Sequence, residues 1–146
     1  MDTIELKVKR LHEDAQLPTY GTAGAACFDL HALHCGIVTN TGAQVFRTGL
    51  AFDIPAGWVL KVYSRSGHGF KNSVRLGNAV GIIDADYVGE LMVKLTCDDP
   101  FGELRVSKGD RIAQAMLEPA PRVQLIEVAE LKDTARGAAG FGSTGR

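Results

Sequence analysis

Cysteine is scarce in this chain. Among 146 residues there are three, Cys27, Cys35 and Cys97. The count is odd and no two form a C-x-x-C pair, which excludes a disulfide framework and a zinc site. The thiols read as small buried hydrophobes or free groups, which fits a reducing compartment. A basic excess is also missing: 16 Lys and Arg stand against 17 Asp and Glu, for a net charge of −1. That balance argues against duplex nucleic acid as a partner. Long apolar runs are absent, and none nears the roughly 20 residues that span a bilayer. Met1-Asp-Thr-Ile-Glu5 lacks the basic-then-apolar pattern of a secretory signal. The expectation is a cytoplasmic protein without a membrane partner. No Walker A sequence occurs, which excludes a P-loop nucleotidase.

Helical periodicity is weak, and short alternating runs take its place. Ile4, Leu6 and Val8 alternate with charged residues, Leu91, Val93, Leu95 and Cys97 with Met92, Lys94 and Thr96, and Val123 and Leu125 with Gln124. Each run reads as a half-buried strand. Turn signals separate them, at Thr41-Gly42, Pro55-Ala-Gly57, Asp98-Asp-Pro100 and Lys108-Gly-Asp110. The pattern predicts one all-β domain, a sandwich or barrel, with one short helix over Ser66–Asn72. A chain this long buries about 68–70% of its unfolded surface and needs no staple. Residues 1–135 are expected to form this domain. Residues 136–146, Arg136-Gly-Ala-Ala-Gly-Phe-Gly-Ser-Thr-Gly-Arg146, form a glycine-rich tail with almost nothing apolar to bury but Phe141.

Four stretches carry groups suited to chemistry. Ser64-Arg65-Ser66-Gly67 follows the apolar run Gly57–Tyr63 and opens the short helix. A guanidinium, a hydroxyl and free backbone N–H groups there make an anion cradle, or simply a helix cap with a surface arginine. From Asn78 an apolar strand runs into Asp84 and Asp86, then Tyr87 and Gly89. An aspartate at a strand end can deprotonate a water, whereas the plain alternative is an acidic hairpin turn. The i, i+2 spacing predicts one strand face for both carboxylates. Lys108-Gly-Asp110-Arg-Ile-Ala-Gln114 reads as a turn into a strand, with Gln114 available to a phosphate or a water. The tail offers Arg136, Ser143 and Thr144 to phosphates and Phe141 to a base. Its Gly140-x-Gly142-x-x-Gly145 spacing is no dinucleotide fingerprint, because no helix follows. His12, His31, His34 and His68 lack metal-ligand spacing and read as solvated or locally hydrogen-bonded. Trp58 reads as core.

The order of these stretches is distinctive. With Ala25-Ala-Cys-Phe-Asp-Leu30 at the front, Arg65-Ser-Gly67, Gly81–Gly89, Gly109–Gln114 and Arg136–Gly145 complete five motifs in sequence. In this order and over nearly the whole chain, the sequence resembles the homotrimeric dUTPase family. The resemblance implies a jelly-roll-like β fold and a homotrimer whose active sites draw on more than one subunit. It implies hydrolysis of dUTP to dUMP and pyrophosphate, with Asp84 as the base that activates water. Asn78 and the backbone of Ile82, Ile83 and Asp84 match the pocket that reads uracil. Tyr87 matches the residue under the deoxyribose, and Met92 a contact to the base or sugar. Arg65, Ser66 and Gly67 match the phosphate cradle and Gln114 a polar contact beside it. Arg136, Phe141, Gly142 and Ser143 match a closing flap. Asp29 matches an aspartate near the water shell of Mg²⁺, an ion the substrate itself mainly holds.

Four positions depart from the usual pattern of that family: Cys27 for glycine, Ser64 for proline, Val88 for a polar residue and Ala139 for glycine. None removes a group assigned to chemistry. Two alternatives stay open on sequence alone, a dCTP deaminase of the same fold and a non-catalytic nucleotide-binding regulator.

Overall fold

The computed structural model describes residues 3–145. Twelve strands and one helix follow in order: β1 (Lys7–Arg10), β2 (Thr19–Tyr20), β3 (Phe28–His31), β4 (Gly36–Thr39), β5 (Gln44–Arg47), β6 (Leu50–Asp53), β7 (Trp58–Tyr63), α1 (Ser66–Asn72), β8 (Val74–Leu76), β9 (Gly81–Ile83), β10 (Met92–Cys97), β11 (Glu103–Val106) and β12 (Arg111–Pro119). The helix spans the residues the sequence predicts. Ser73 ends it at φ 53°, with its N–H on the carbonyl of Gly69.

Five strands form the largest sheet, in the order β2-β3-β12-β7-β9, and β5-β10-β8 form a second. Two-stranded ladders, β11-β4 and β1-β6, flank them. The sheets do not close into a barrel. Alternation explains why they enclose one core. In β10, Val93, Leu95 and Cys97 are buried while Met92 and Lys94 are exposed. Leu30, Leu60, Ile112 and Ala115 from the larger sheet meet Phe46, Leu76 and Leu95 from the smaller in one cluster. Burying each large side chain stabilises by about 1.5–3 kcal/mol, so no staple is required. Cys97 is buried, Cys27 half-buried and Cys35 exposed, all as free thiols.

Three expectations need correction. Trp58 packs only at the edge of the core and stays half-exposed. The strand expected at Val123 and Leu125 is absent, because no neighbouring strand in the chain pairs with it. The last strand ends at Pro119, and Val123, Leu125, Ile126, Val128 and Leu131 are all exposed, Leu125 to 91%. Nor is every histidine solvated or bonded. His31 Nδ1 is buried with no partner, and burial pushes its pKa down.

Candidate active site

The cradle is built where three strands meet. On the central strand β12, Gln114 lies opposite Asp29 of β3 on one side and Tyr63 of β7 on the other. Asp29 is only 8% exposed. Arg65 Nε donates to its Oδ1 at 2.9 Å, and Arg111 Nη1 stands 3.5 Å from its Oδ2. A buried carboxylate between two guanidiniums is compensated, and removing it would strand their charge. Gln114 Nε2 donates to the Ser64 carbonyl at 2.9 Å, and the Ser64 hydroxyl accepts the Leu76 N–H at 2.9 Å. Ser64, where the family favours proline, thereby ties the cradle to β8. Arg65 then turns into α1 at φ −92°, ψ 134°, with no side chain capping the first turn. The leading amides of that turn have no helical acceptor. A cavity of about 510 Å³ opens beside Ser64, Arg65, Ser66, Gly69, Phe70 and Gln114.

A second cavity, of about 410 Å³, lies between the turn after β8 and the start of β10. Asn78, Ile82, Ile83 and Met92 line it, together with Gly77 and Lys94. Gly81 is needed where β9 crosses β7, since a Cβ there would lie 3.0 Å from the Cβ of Val62. Asn78, Ile82 and Met92 are exposed, so the pocket is open to solvent.

Asp84 stands just past β9, at the start of a turn whose Tyr87 N–H donates to the Asp84 carbonyl at 3.1 Å. The strand ends at Ile83, so Asp84 and Asp86 share a turn rather than a strand face. The Asp84 carboxylate is exposed and faces a third cavity, of about 570 Å³, with Trp58, Lys61 and Arg122. Tyr87 folds back on its own loop, its hydroxyl donating to the Glu90 carbonyl at 2.9 Å. Gly89 permits this, because a Cβ there would sit 2.6 Å from the Tyr87 hydroxyl. Glu90 anchors the loop's far end by accepting from Arg47 Nε at 3.0 Å and Gly49 N–H at 2.9 Å.

One chain brings these groups to separate places. Ile83 pairs with Leu60, which sets Asp84 level with Val59, six positions before Arg65. At the rise of a strand that is about 20 Å. The tail joins neither part: Arg136, Phe141, Gly142 and Ser143 line none of the three cavities. Phe141 is fully exposed, Gly142 has φ 90°, and Arg136 Nε only closes a local turn on the Ala139 carbonyl at 2.8 Å.

Sequence reading assigned no role to Arg111 and missed the anchoring pair Arg47–Glu90. The first was detectable only as an arginine within the motif Gly109–Gln114. The second joins residues 43 apart and leaves no local signal.

A dUTPase family model matches residues 13–145. The chain is 42% identical to the deoxyuridine 5'-triphosphate nucleotidohydrolase of Nautilia profundicola, over 98% of this chain and 100% of that one. It is 44% identical to the enzyme of the same name from Syntrophotalea carbinolica, over 99% of each. Among solved structures, a Staphylococcus bacteriophage 80alpha dUTPase variant with dUpNHpp superposes with a TM-score of 0.89 at 27% identity. It covers 99% of this chain and 100% of that one.

Proposed function

The chain belongs to the dUTPase family, and from that premise we propose how it hydrolyses dUTP to dUMP and pyrophosphate. Asp84 takes a proton from a water, the water oxygen attacks the α-phosphorus, and the bond to the β-phosphate oxygen breaks as pyrophosphate leaves. The observation that supports this reading is the carboxylate of Asp84, exposed at the end of a core strand and bonded to nothing among the described residues. A base placed this way contributes about 10²–10⁴ in rate.

The phosphates lie in the cradle of Arg65, Ser66 and Gly67, with Arg65 aimed by Asp29. Gln114 acts through its hold on Ser64, keeping the backbone before Arg65 in place. Asn78 and the backbone from Ile82 to Asp84 read the uracil edge. Cytosine would leave polar groups that the bound base covers unpaired there, and thymine's methyl would collide with backbone. Tyr87 lies under the deoxyribose, where a 2′-hydroxyl would clash, and Met92 flanks the sugar. Arg136, Phe141, Gly142 and Ser143 close over the nucleotide and exclude water.

The roughly 20 Å between Asp84 and Arg65 is too far for one α-phosphate. We therefore read the site as shared: the hairpin of one copy faces the cradle of another in a homotrimer. The apolar arm from Val123 to Leu131 is surface that such an assembly covers. The tail read as residues 136–146 is the flap of this shared site, with Arg146 outside the described residues.

Mg²⁺ enters with the substrate. No group of three His, Cys, Asp or Glu occurs among the described residues, and Asp29 is engaged by two arginines. These donors suit an ion held mainly by phosphate oxygens and water, with Asp29 reaching it only through water. When bound, the ion offsets triphosphate charge.

The direct test is turnover with Mg²⁺ and each of dUTP, dTTP, dCTP and UTP, measuring pyrophosphate. Pyrophosphate from dUTP alone is expected. Ammonia from dCTP would identify a deaminase, and no turnover of any nucleotide would leave a binding protein.

A further inference from the structure

We propose that Lys94 is a specificity-determining residue whose ammonium donates to the 4-carbonyl of the bound base and so favours uracil over cytosine. The proposal rests on the base pocket described above.

Lys94 lies on β10 between buried Val93 and Leu95, so its side chain leaves the core on the face shared with Met92. It is the one charged residue lining the cavity of about 410 Å³. Its stem runs across the turn that carries Asn78: a Cβ on Gly77 would lie 3.5 Å from Lys94 Cγ and 3.6 Å from Cδ. The backbone holds the same juxtaposition, with Gly77 N–H donating to the Lys94 carbonyl at 2.8 Å. No acidic side chain among the described residues pairs with this ammonium. Lys7, Lys61 and Lys108 each stand within ion-pair distance of a carboxylate.

Position along the strand says which part of a nucleotide Lys94 meets. Met92 is assigned above to flank the sugar, so on that reading the sugar belongs at the Met92 end. Lys94 is two residues further along, about 7 Å, level with Gly77. That is where the pyrimidine edge farthest from the sugar comes to rest, the edge that carries the 4-substituent. An ammonium has three donors and no acceptor. It satisfies the 4-carbonyl of uracil and opposes the 4-amino group of cytosine, donor against donor. The stem meanwhile lies against the base as an apolar floor. The backbone pocket and Lys94 thus read the same edge, one by shape and one by charge.

Lys94→Met keeps the stem and removes the donors, and Lys94→Arg restores donors. The measurement is kcat/KM for dUTP and for dCTP, by pyrophosphate release at high enzyme concentration. For Lys94→Met, the ratio of dUTP to dCTP is expected to fall about tenfold, the size of one charge-assisted hydrogen bond at an open site. The change should sit in KM, and Lys94→Arg should recover part of it. An unchanged ratio overturns the proposal. So does an equal loss with both nucleotides, which is what a phosphate contact or a purely structural role produces. If the unmodified protein does not itself prefer dUTP to dCTP, the base-pocket reading fails first, and the two failures are told apart.

Discussion

Asp84→Asn is expected to bind a non-hydrolysable dUTP analogue about as well as the unmodified protein and to lose about 10²–10⁴ of its turnover. The amide nearly matches the carboxylate in size. Asp84 is exposed beyond the last residue of β9, and its own carbonyl carries the turn. The substitution therefore leaves the hairpin intact while removing the carboxylate assigned to accept water's proton. The expected signature is a fall in kcat with little change in KM, the pattern of an interaction made only in the transition state. Isothermal titration with the analogue, beside steady-state pyrophosphate release, separates the two quantities. Near-normal pyrophosphate release from the variant would remove Asp84 from the role of base.

Deleting residues 136–146 is expected to cost at least about a hundredfold in kcat/KM, the scale of losing transition-state donors, with the β domain left standing. The two halves of that expectation have separate causes. Gly140 apart, every described residue from Arg136 to Gly145 is exposed, and none contributes to the core cluster. Truncation therefore removes no core packing, and thermal unfolding should shift little. What it removes is Arg136, Phe141 and the Gly142-Ser143 backbone, the groups assigned to closing over base and phosphates. Ala139, where the family favours glycine, narrows the tail's backbone freedom but leaves these groups in place. A truncated protein with undiminished turnover would reduce the tail to an unused end.

Much of this fold is legible in the sequence because the signals are local. The alternation of Val93, Leu95 and Cys97 against Met92 and Lys94 marks β10, and the break after Tyr63 marks α1. Where local signals fell short, what decided the structure lay elsewhere in the chain or was absent from it. Val123 and Leu125 alternate like a strand, yet pairing needs a neighbour the single chain does not supply. Asp84 and Asp86 carry strand spacing, but β9 stops at Ile83. What the sequence does not show is how Asp29 is held. The fold buries it between Arg65 and Arg111, the second of which comes from 82 residues away. Motif order is the ground on which residues are assigned to the site. It does not say how far apart one chain holds them, which strand rise extended past β7 and β9 puts at about 20 Å.

The shared site is tested most directly by mixing two inactive variants. Asp84→Asn lacks the base but keeps its cradle, and Arg65→Ala lacks the cradle's guanidinium but keeps its base. Unfolded together in equal amounts and refolded together, they should regain pyrophosphate release from dUTP, to about a quarter of the unmodified level if copies combine at random. In that mixture, one site in about four joins an intact cradle to an intact hairpin from a different copy. A refolded mixture no more active than either variant alone would mean that base and cradle serve the same chain, contradicting the shared site.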